Sequence, residues 1–243
     1  MKILNLLFIV FTINLCFCQK QTDHAKMQLI NPEIQLDIID FDNCFKEITV
    51  DRISYDEIPK YIDFRGVIVE STRWIDILGE NILIQTVSGQ FKWKDYLETR
   101  KEYDLQDKTE LYTYLFRRQN NTEEFKQIWR IYDYLECYGV DWFTGYIPNA
   151  TTITDIDRDG ISEVSIPYVL ICRGDVSPGT MKIIMYENED KFALRGTTMT
   201  FCSDENTTDG IFKASNNLLK QSDFYSHLKI IWENHKCENN RFN

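Results

Sequence analysis

Leu111-Tyr112-Thr113-Tyr114-Leu115-Phe116-Arg117, followed after the polar loop Gln119-Asn120-Asn121-Thr122 by residues 125–134 with their Trp129 and Ile131, is the stretch that decides the fold. β-Branched and aromatic side chains crowd both arms. Tyr112, Tyr114 and Phe116 share one face, and Trp129 and Ile131 turn inward from the partner arm. The reading is an antiparallel hairpin.

The same alternation recurs on both sides of this hairpin. Residues 33–40 alternate through Ile34, Leu36 and Ile38, and a polar segment around Cys44 then runs to Pro59. Residues 66–76 are β-like, Leu78-Gly79 makes a turn, and 81–87 return through Ile82, Leu83 and Ile84. A helical turn or two is expected near Tyr96 and Leu97. Residues 164–172 form a further strand, where Pro167 removes one ladder donor and so predicts an edge or a bulge. Residues 182–187 and 191–197 pair around Asn188-Glu189-Asp190. Finally, Ser222 caps a helix whose Phe224, Leu228, Ile231 and Trp232 recur at i, i+4, i+7 and i+8, giving one apolar face to dock on a sheet. The expected class is mainly β, a β-rich α+β fold: a twisted antiparallel sheet, sandwich or open barrel closed by a C-terminal helix.

Residues 1–18 carry Lys2, then an apolar run from Ile3 to Leu15, then Cys16-Phe17-Cys18 before the polar Gln19. This is the plan of a signal peptide, too short for a comfortable membrane span. Residues 19–243 are then expected to be a single exported β-rich domain, periplasmic, cell-surface or secreted. No later segment is apolar for about 18 residues, so no transmembrane segment is expected in the mature chain. The formal net charge of −11 argues against nucleic acid or anionic lipid as partner, since both are held chiefly through Lys and Arg.

The segment Asp155-Ile156-Asp157-Arg158-Asp159-Gly160-Ile161-Ser162-Glu163 sets carboxylates on alternating positions around a glycine, just before a strand. Ca²⁺ takes six to eight oxygen ligands, and a tight loop that aims every second side chain inward supplies most of them from one segment. Asp155, Asp157 and Asp159 fit that pattern; the carbonyl of Ile161 can face the ion, and Glu163 can close the shell. Gly160 allows the positive φ that reverses the chain. Two such carboxylates roughly 5 Å apart repel by about 1 to 3 kcal/mol, a cost that a bound dication removes. An EF-hand is excluded, because the twelfth position from Asp155 is Ile166 where a bidentate Glu is required. A structural Ca²⁺ is therefore the expected cofactor.

Setting aside Cys16 and Cys18, the cysteines are Cys44, Cys137, Cys172, Cys202 and Cys237. None forms a C-x-x-C pair, and two disulfides with one free thiol is the simplest account in an oxidising compartment. A cysteine nucleophile needs a base, and the histidines are His24, His227 and His235; only His235 lies near a cysteine, Cys237. Trp142 and Tyr146 are the better exposed candidates for stacking on sugar, though core packing is the leading reading for them too, whereas Trp129 and Trp232 fall on core faces. Asp175 or Ser177 is expected to fold back as an outer ligand of the acidic loop, with Arg173 pairing a nearby carboxylate. The Asn-x-Ser/Thr triplets at Asn120, Asn149 and Asn206 mark polar loops.

The acidic loop resembles the Asp-x-Asp-x-Asp-Gly-x-x-Glu loop of FG-GAP and related calcium-loop repeats. In combination, the run 153–164, Cys172-Arg173-Gly174-Asp175-Val176-Ser177-Pro178, Met181-Lys182-Ile183-Ile184-Met185-Tyr186-Glu187 and Lys191-Phe192-Ala193-Leu194-Arg195-Gly196-Thr197 resembles more. It is similar to a family of exported bacterial proteins labelled for surface polysaccharide biosynthesis. Gly66-Val67-Ile68-Val69-Glu70 with Trp74 and Asp76, and Ile128-Trp129-Arg130-Ile131-Tyr132-Asp133, extend the likeness over about residues 60–235. The resemblance implies export, one domain, and a partner in surface polysaccharide or the envelope assembly machinery. It also implies a Cys137 to Cys172 bridge, although this chain has Cys137-Tyr138 where members carry Cys-Pro. Two readings follow. One is a non-catalytic exported envelope protein with a structural calcium loop. The other is a glycan hydrolase or lyase drawing acid and base from carboxylates such as Asp141, Asp175 or Glu187.

Overall fold

The computed structural model describes residues 48–97, 101–138, 141–202 and 209–238. The segments 1–18 and 33–40, with His24, Cys44 and Asn206, lie outside them. Two antiparallel sheets carry the fold. The first has the order β1 (Asp51–Arg52), β2 (Val67–Asp76), β3 (Gly79–Leu97), β4 (Glu102–Arg118), β5 (Lys126–Cys137). The second contains β6 (Asp141–Tyr146), β7 (Thr152–Thr154), β8 (Glu163–Arg173), β9 (Thr180–Glu187), β10 (Asp190–Thr197) and β11 (Phe212–Ala214). Its order is β11-β10-β9-β8-β6, with β7 also paired to β8. Helix α1 (Ser222–His235) closes the chain's described part, and neither sheet closes into a barrel.

The alternation of side chains sorts the apolar residues into three stacked cores. Trp74, Leu83, Leu111, Leu115, Trp129 and Ile131 of the first sheet meet Val164, Ile166, Tyr168, Leu170, Ile184, Tyr186 and Ala193 of the second, making the sandwich interior. Trp129 stacks on Tyr186 there, ring centroids 4.4 Å apart. On the outer face of the second sheet, Val169, Ile171, Met181, Ile183, Met185 and Leu194 pack under Phe224, Leu228, Ile231 and Trp232 of α1. On the outer face of the first, Ile82, Ile84, Tyr112, Tyr114 and Phe116 are covered by Ile53, Ile58, Ile62 and Phe125. The central strands are thus covered on both faces, so β8 is buried without a break from Glu163 to Ile171. Such a strand reads as a continuous apolar run rather than an alternation.

Three local expectations are corrected. The helical turn near Tyr96 and Leu97 is instead the continuation of β3, whose register slips between Val87 and Gln90. Gly89, at φ 69°, lies in that slip, and polar cross-strand pairs take over beyond it: Lys92 and Gln90 both reach Asp107, at 2.8 Å. Pro167 lies neither on an edge strand nor at a bulge, for β8 has β9 on one side and β6 with β7 on the other. Its carbonyl accepts from Ile147 N–H, between the end of β6 and the start of β7. Because N–H and C=O of one strand residue point the same way, the missing donor falls in that gap and no ladder bond is lost. The helix begins at Ser222 as expected, but Gln221 is its cap residue and Ser222 Oγ bonds Asp223.

Two disulfides, Cys137–Cys172 and Cys202–Cys237, fasten this arrangement. The first is the pair implied by the resemblance and ties the end of β5 to β8. The second ties Cys237, two residues beyond α1, to the segment after β10, where Met199 and Cys237 also form a bridge. Each closes a loop of 35 residues, for which chain entropy gives about 3 to 4 kcal/mol.

Candidate metal centre

β7 and β8 are neighbours in one ladder, so the chain between them must reverse within residues 155–162. Arg158 (φ 63°) and Gly160 (φ 86°) make the reversal, and the turn is held by its own carboxylates. Asp155 Oδ2 accepts from Gly160 N–H at 3.1 Å, Asp157 Oδ1 from Asp159 N–H at 3.3 Å, and Asp159 Oδ1 from Ile161 N–H at 2.7 Å. Oxygens of Asp155, Asp157 and Asp159 converge within 4.8 Å of one another. The other Asp155 oxygen, Oδ1, is buried and has no partner among the described residues.

Glu163 opens β8 with no exposed surface at all. Its Oε2 accepts from Ile156 N–H (2.8 Å) and Thr154 Oγ1 (3.2 Å), while Oε1 is buried without a partner. Directly opposite, at the end of β9, stands Glu187, half-buried, its Oε1 equally bare. Glu163 and Glu187 converge with Asp157, again within 4.8 Å, rather than joining Asp155 and Asp159. Of the expected shell of Asp155, Asp157, Asp159, Ile161 and Glu163, the three aspartates form one set, and Glu163 falls in the other with Glu187 beside it. Ile161 is half-buried, its N–H engaged by Asp159.

The electrostatics follow from that crowding. Burial, and then the Asp159 charge, raises both Asp155 and Asp157 above the usual carboxylate range. Burial, and then the Asp157 charge, pushes Glu163 up to about 8; burial, with Asp157, Asp159, Asp190 and Asp155 behind it, pushes Glu187 to about 7. A divalent ion among these oxygens reverses the preference, since it favours every carboxylate in its charged form.

The loop is also the joint between the sheets. Trp74 Nε1 donates to Ser162 Oγ (2.7 Å), which donates to Asp76 Oδ2 (2.7 Å), and Ile77 N–H donates to Gly160 C=O (3.1 Å). Trp74, Asp76 and Ile77 lie at the β2–β3 turn of the first sheet. Arg117, buried, crosses the same seam, donating to Asn81 Oδ1 (2.7 Å) and Asn188 Oδ1 (2.9 Å). Glu187 as a partner of the loop, and the Trp74-Ser162-Asp76 chain, escape a reading of the sequence. Their one signal is the pairing of Glu163 with Glu187, visible only once the register of β8 and β9 is fixed.

Other candidates lie elsewhere. Arg173 and Asp175 lie at the far end of β8, about 33 Å along the strand from Glu163, so neither Asp175 nor Ser177 reaches the acidic loop. Asp175 instead faces Ser177, whose hydroxyl and then its N–H (2.8 Å) hold the carboxyl below the usual range, and Arg173 pairs with Glu238 at 2.9 Å. Asp141 pairs in register with Arg173, so Asp141 and Asp175 stand at one end of β8 and Glu187 at the other. Trp142 and Tyr146 are each half-buried rather than exposed. Tyr146 Oη bonds Tyr112 C=O and Thr113 Oγ1 of the facing sheet, at 2.5 and 3.0 Å, and burial raises its phenol. Three other aromatics with exposed surface, Trp93, Tyr132 and Tyr134, each have one face in use, with Lys108 Nζ 4.4 Å from the ring centres of Trp93 and Tyr134, and Tyr132 stacked on Tyr112 at 5.0 Å. Cys237 is bridged, so it offers no thiol, and His227 bonds Thr152 Oγ1 at 3.0 Å.

No family model, no curated protein and no solved structure matches this chain.

Proposed function

We propose that this is a non-catalytic exported protein of the cell envelope whose acidic loop binds Ca²⁺ to fix the joint between its two sheets. The observation that carries the reading is the convergence of Asp155, Asp157 and Asp159 within 4.8 Å, with Asp155 Oδ1 buried and unpartnered. An all-oxygen set on a short reversing loop suits a hard cation that tolerates irregular, partly hydrated shells, which is Ca²⁺. Two disulfides accord with an oxidising compartment. Among the described residues no helix is long and apolar enough to cross a membrane. Surface polysaccharide, or a protein that assembles it, is the partner we propose, on the strength of the resemblance described above. For glycan hydrolysis, Asp141 and Asp175 stand too far from Glu187 to act together, and Glu163 is too deeply buried for a sugar to reach.

Two experiments test this. With a Kd near 10⁻⁴ to 10⁻³ M, 5 mM Ca²⁺ stabilises the chain by about 1 to 2.3 kcal/mol over chelator, a rise of a few degrees in Tm. The double change Asp157→Ala, Asp159→Ala should abolish the rise; a wild-type melt indifferent to Ca²⁺ sinks the metal reading. Deletion of the gene in its native host should alter the surface glycans, and an unchanged glycan profile sinks the polysaccharide link.

A further inference from the structure

We propose that the centre holds two divalent cations, the second bound by Asp157, Glu163 and Glu187, with Asp157 bridging the pair. The inference rests on the reading that the loop takes Ca²⁺, and goes beyond it in the number of ions and in the role of Glu187.

Geometry separates the positions. Oxygens bound to one Ca²⁺ at about 2.4 Å lie no more than about 4.8 Å apart. Asp155, Asp157 and Asp159 meet that limit as one set, and Asp157, Glu163 and Glu187 meet it as another. Asp157 alone belongs to both. A single ion therefore cannot collect all five carboxylates, whereas two ions sharing Asp157 can.

The second position has support apart from its charge. Glu163 has no exposed surface and keeps Oε2 for Ile156 N–H and Thr154, which leaves Oε1 bare in the interior. Buried polar atoms are nearly always partnered, so this one marks a place for a ligand. Glu187 Oε1, bare and buried, comes from the next strand in direct register with Glu163. Like charges facing each other across a ladder are destabilising, and a cation between them turns that opposition into a clamp on β8 and β9. With five carboxylates, one dication leaves three negative charges in a half-buried site and two leave one. The donors are all oxygen, without His or Cys, which favours Ca²⁺ over Zn²⁺.

The test is a count of bound Ca²⁺ per chain, by calorimetry and by native mass spectrometry, on the mature wild-type chain and on Glu187→Gln and Asp159→Asn. Circular dichroism reports whether each variant is folded. Two ions in the wild type and one in each folded variant are expected. One ion in the wild type overturns the second position and leaves the calcium loop standing; none overturns both. Two ions retained by folded Glu187→Gln also overturn the proposal, since the extra ion then sits elsewhere. Should Glu187→Gln not fold, Glu187→Asp replaces it: the shorter side chain should weaken the second binding step at least tenfold, and an unchanged second step overturns the assignment.

Discussion

Glu163→Gln should stabilise the metal-free protein at alkaline pH while abolishing part of its response to Ca²⁺. In the metal-free native state burial, then the Asp157 charge, pushes the Glu163 carboxyl to about 8 from an ordinary value of 4.5. Between those values the native state holds a proton that the unfolded chain has released. Stability from this group is therefore complete below about pH 4.5 and is lost as pH rises through about 8. At about 1.36 kcal/mol per pH decade the loss is about 3 kcal/mol by pH 7 and about 4 by pH 8. Glutamine never ionises, so it escapes the loss. Its amide oxygen can still accept from Ile156 N–H and Thr154 Oγ1, and its NH₂ group replaces the bare Oε1 in the neighbourhood of Asp157 and Glu187. Urea unfolding followed by tryptophan fluorescence suits the measurement, because Trp74, Trp129 and Trp232 are all buried. In chelator the variant should exceed the wild type by about 3 kcal/mol at pH 7 and about 4 kcal/mol at pH 8, and nearly match it at pH 4.5. In 5 mM Ca²⁺ the wild type should gain more than the variant, so the difference narrows by about 1 to 2.3 kcal/mol. A variant that is less stable than wild type in chelator at pH 8, or a difference that does not change with pH, refutes the reasoning.

Gly160→Ala should cost about 1 to 3 kcal/mol in urea unfolding and weaken Ca²⁺ binding, because φ is 86° and the added Cβ would stand 2.7 Å from Ile77 Cγ2. Trp74→Phe removes the donor to Ser162 inside the joint and should lower stability by about 1 to 3 kcal/mol without changing the ion count. Cys202→Ser with Cys237→Ser should cost about 3 to 4 kcal/mol, and hydrogen exchange should rise first at the end of α1. Burial holds the His227 imidazole below its ordinary 6.5, so its contribution is present above pH 6.5 and declines as pH falls; His227→Gln should flatten the stability profile on the acid side of 6.5.

The hairpins were legible because their signals are local. Alternation in 111–117 and the turn at Asn188-Glu189 need no knowledge of the rest of the chain. The outer half of β3 was not legible: its strand character rests on partners such as Asp107, fifteen residues from Lys92, rather than on an apolar face. Pro167 misled for a related reason, since its harmlessness depends on where β6 stops and β7 starts. At the acidic loop the spacing of Asp155, Asp157 and Asp159 marked the convergence in advance. Glu187 could not be found that way, because it reaches Glu163 through a ladder register that links residues 24 apart in the chain. Tyr146 shows the converse, an aromatic beside a polar loop whose hydroxyl is taken by the opposite sheet.

The seam between the two sheets is pinned at both ends of β8. At one end the chain Trp74-Ser162-Asp76 and the Ile77–Gly160 bond hold the turn of the first sheet; at the other, Cys172 is welded to Cys137. A sandwich fastened on a single side can open like a book, swinging on that side as a hinge. Fastened at both, it has no swing axis, and what motion remains is a shallow torsion of one leaf against the other. A reductant would release one fastening, and with the proposed Ca²⁺ in the loop a chelator would loosen the other, so on that proposal only the two together should let the leaves part.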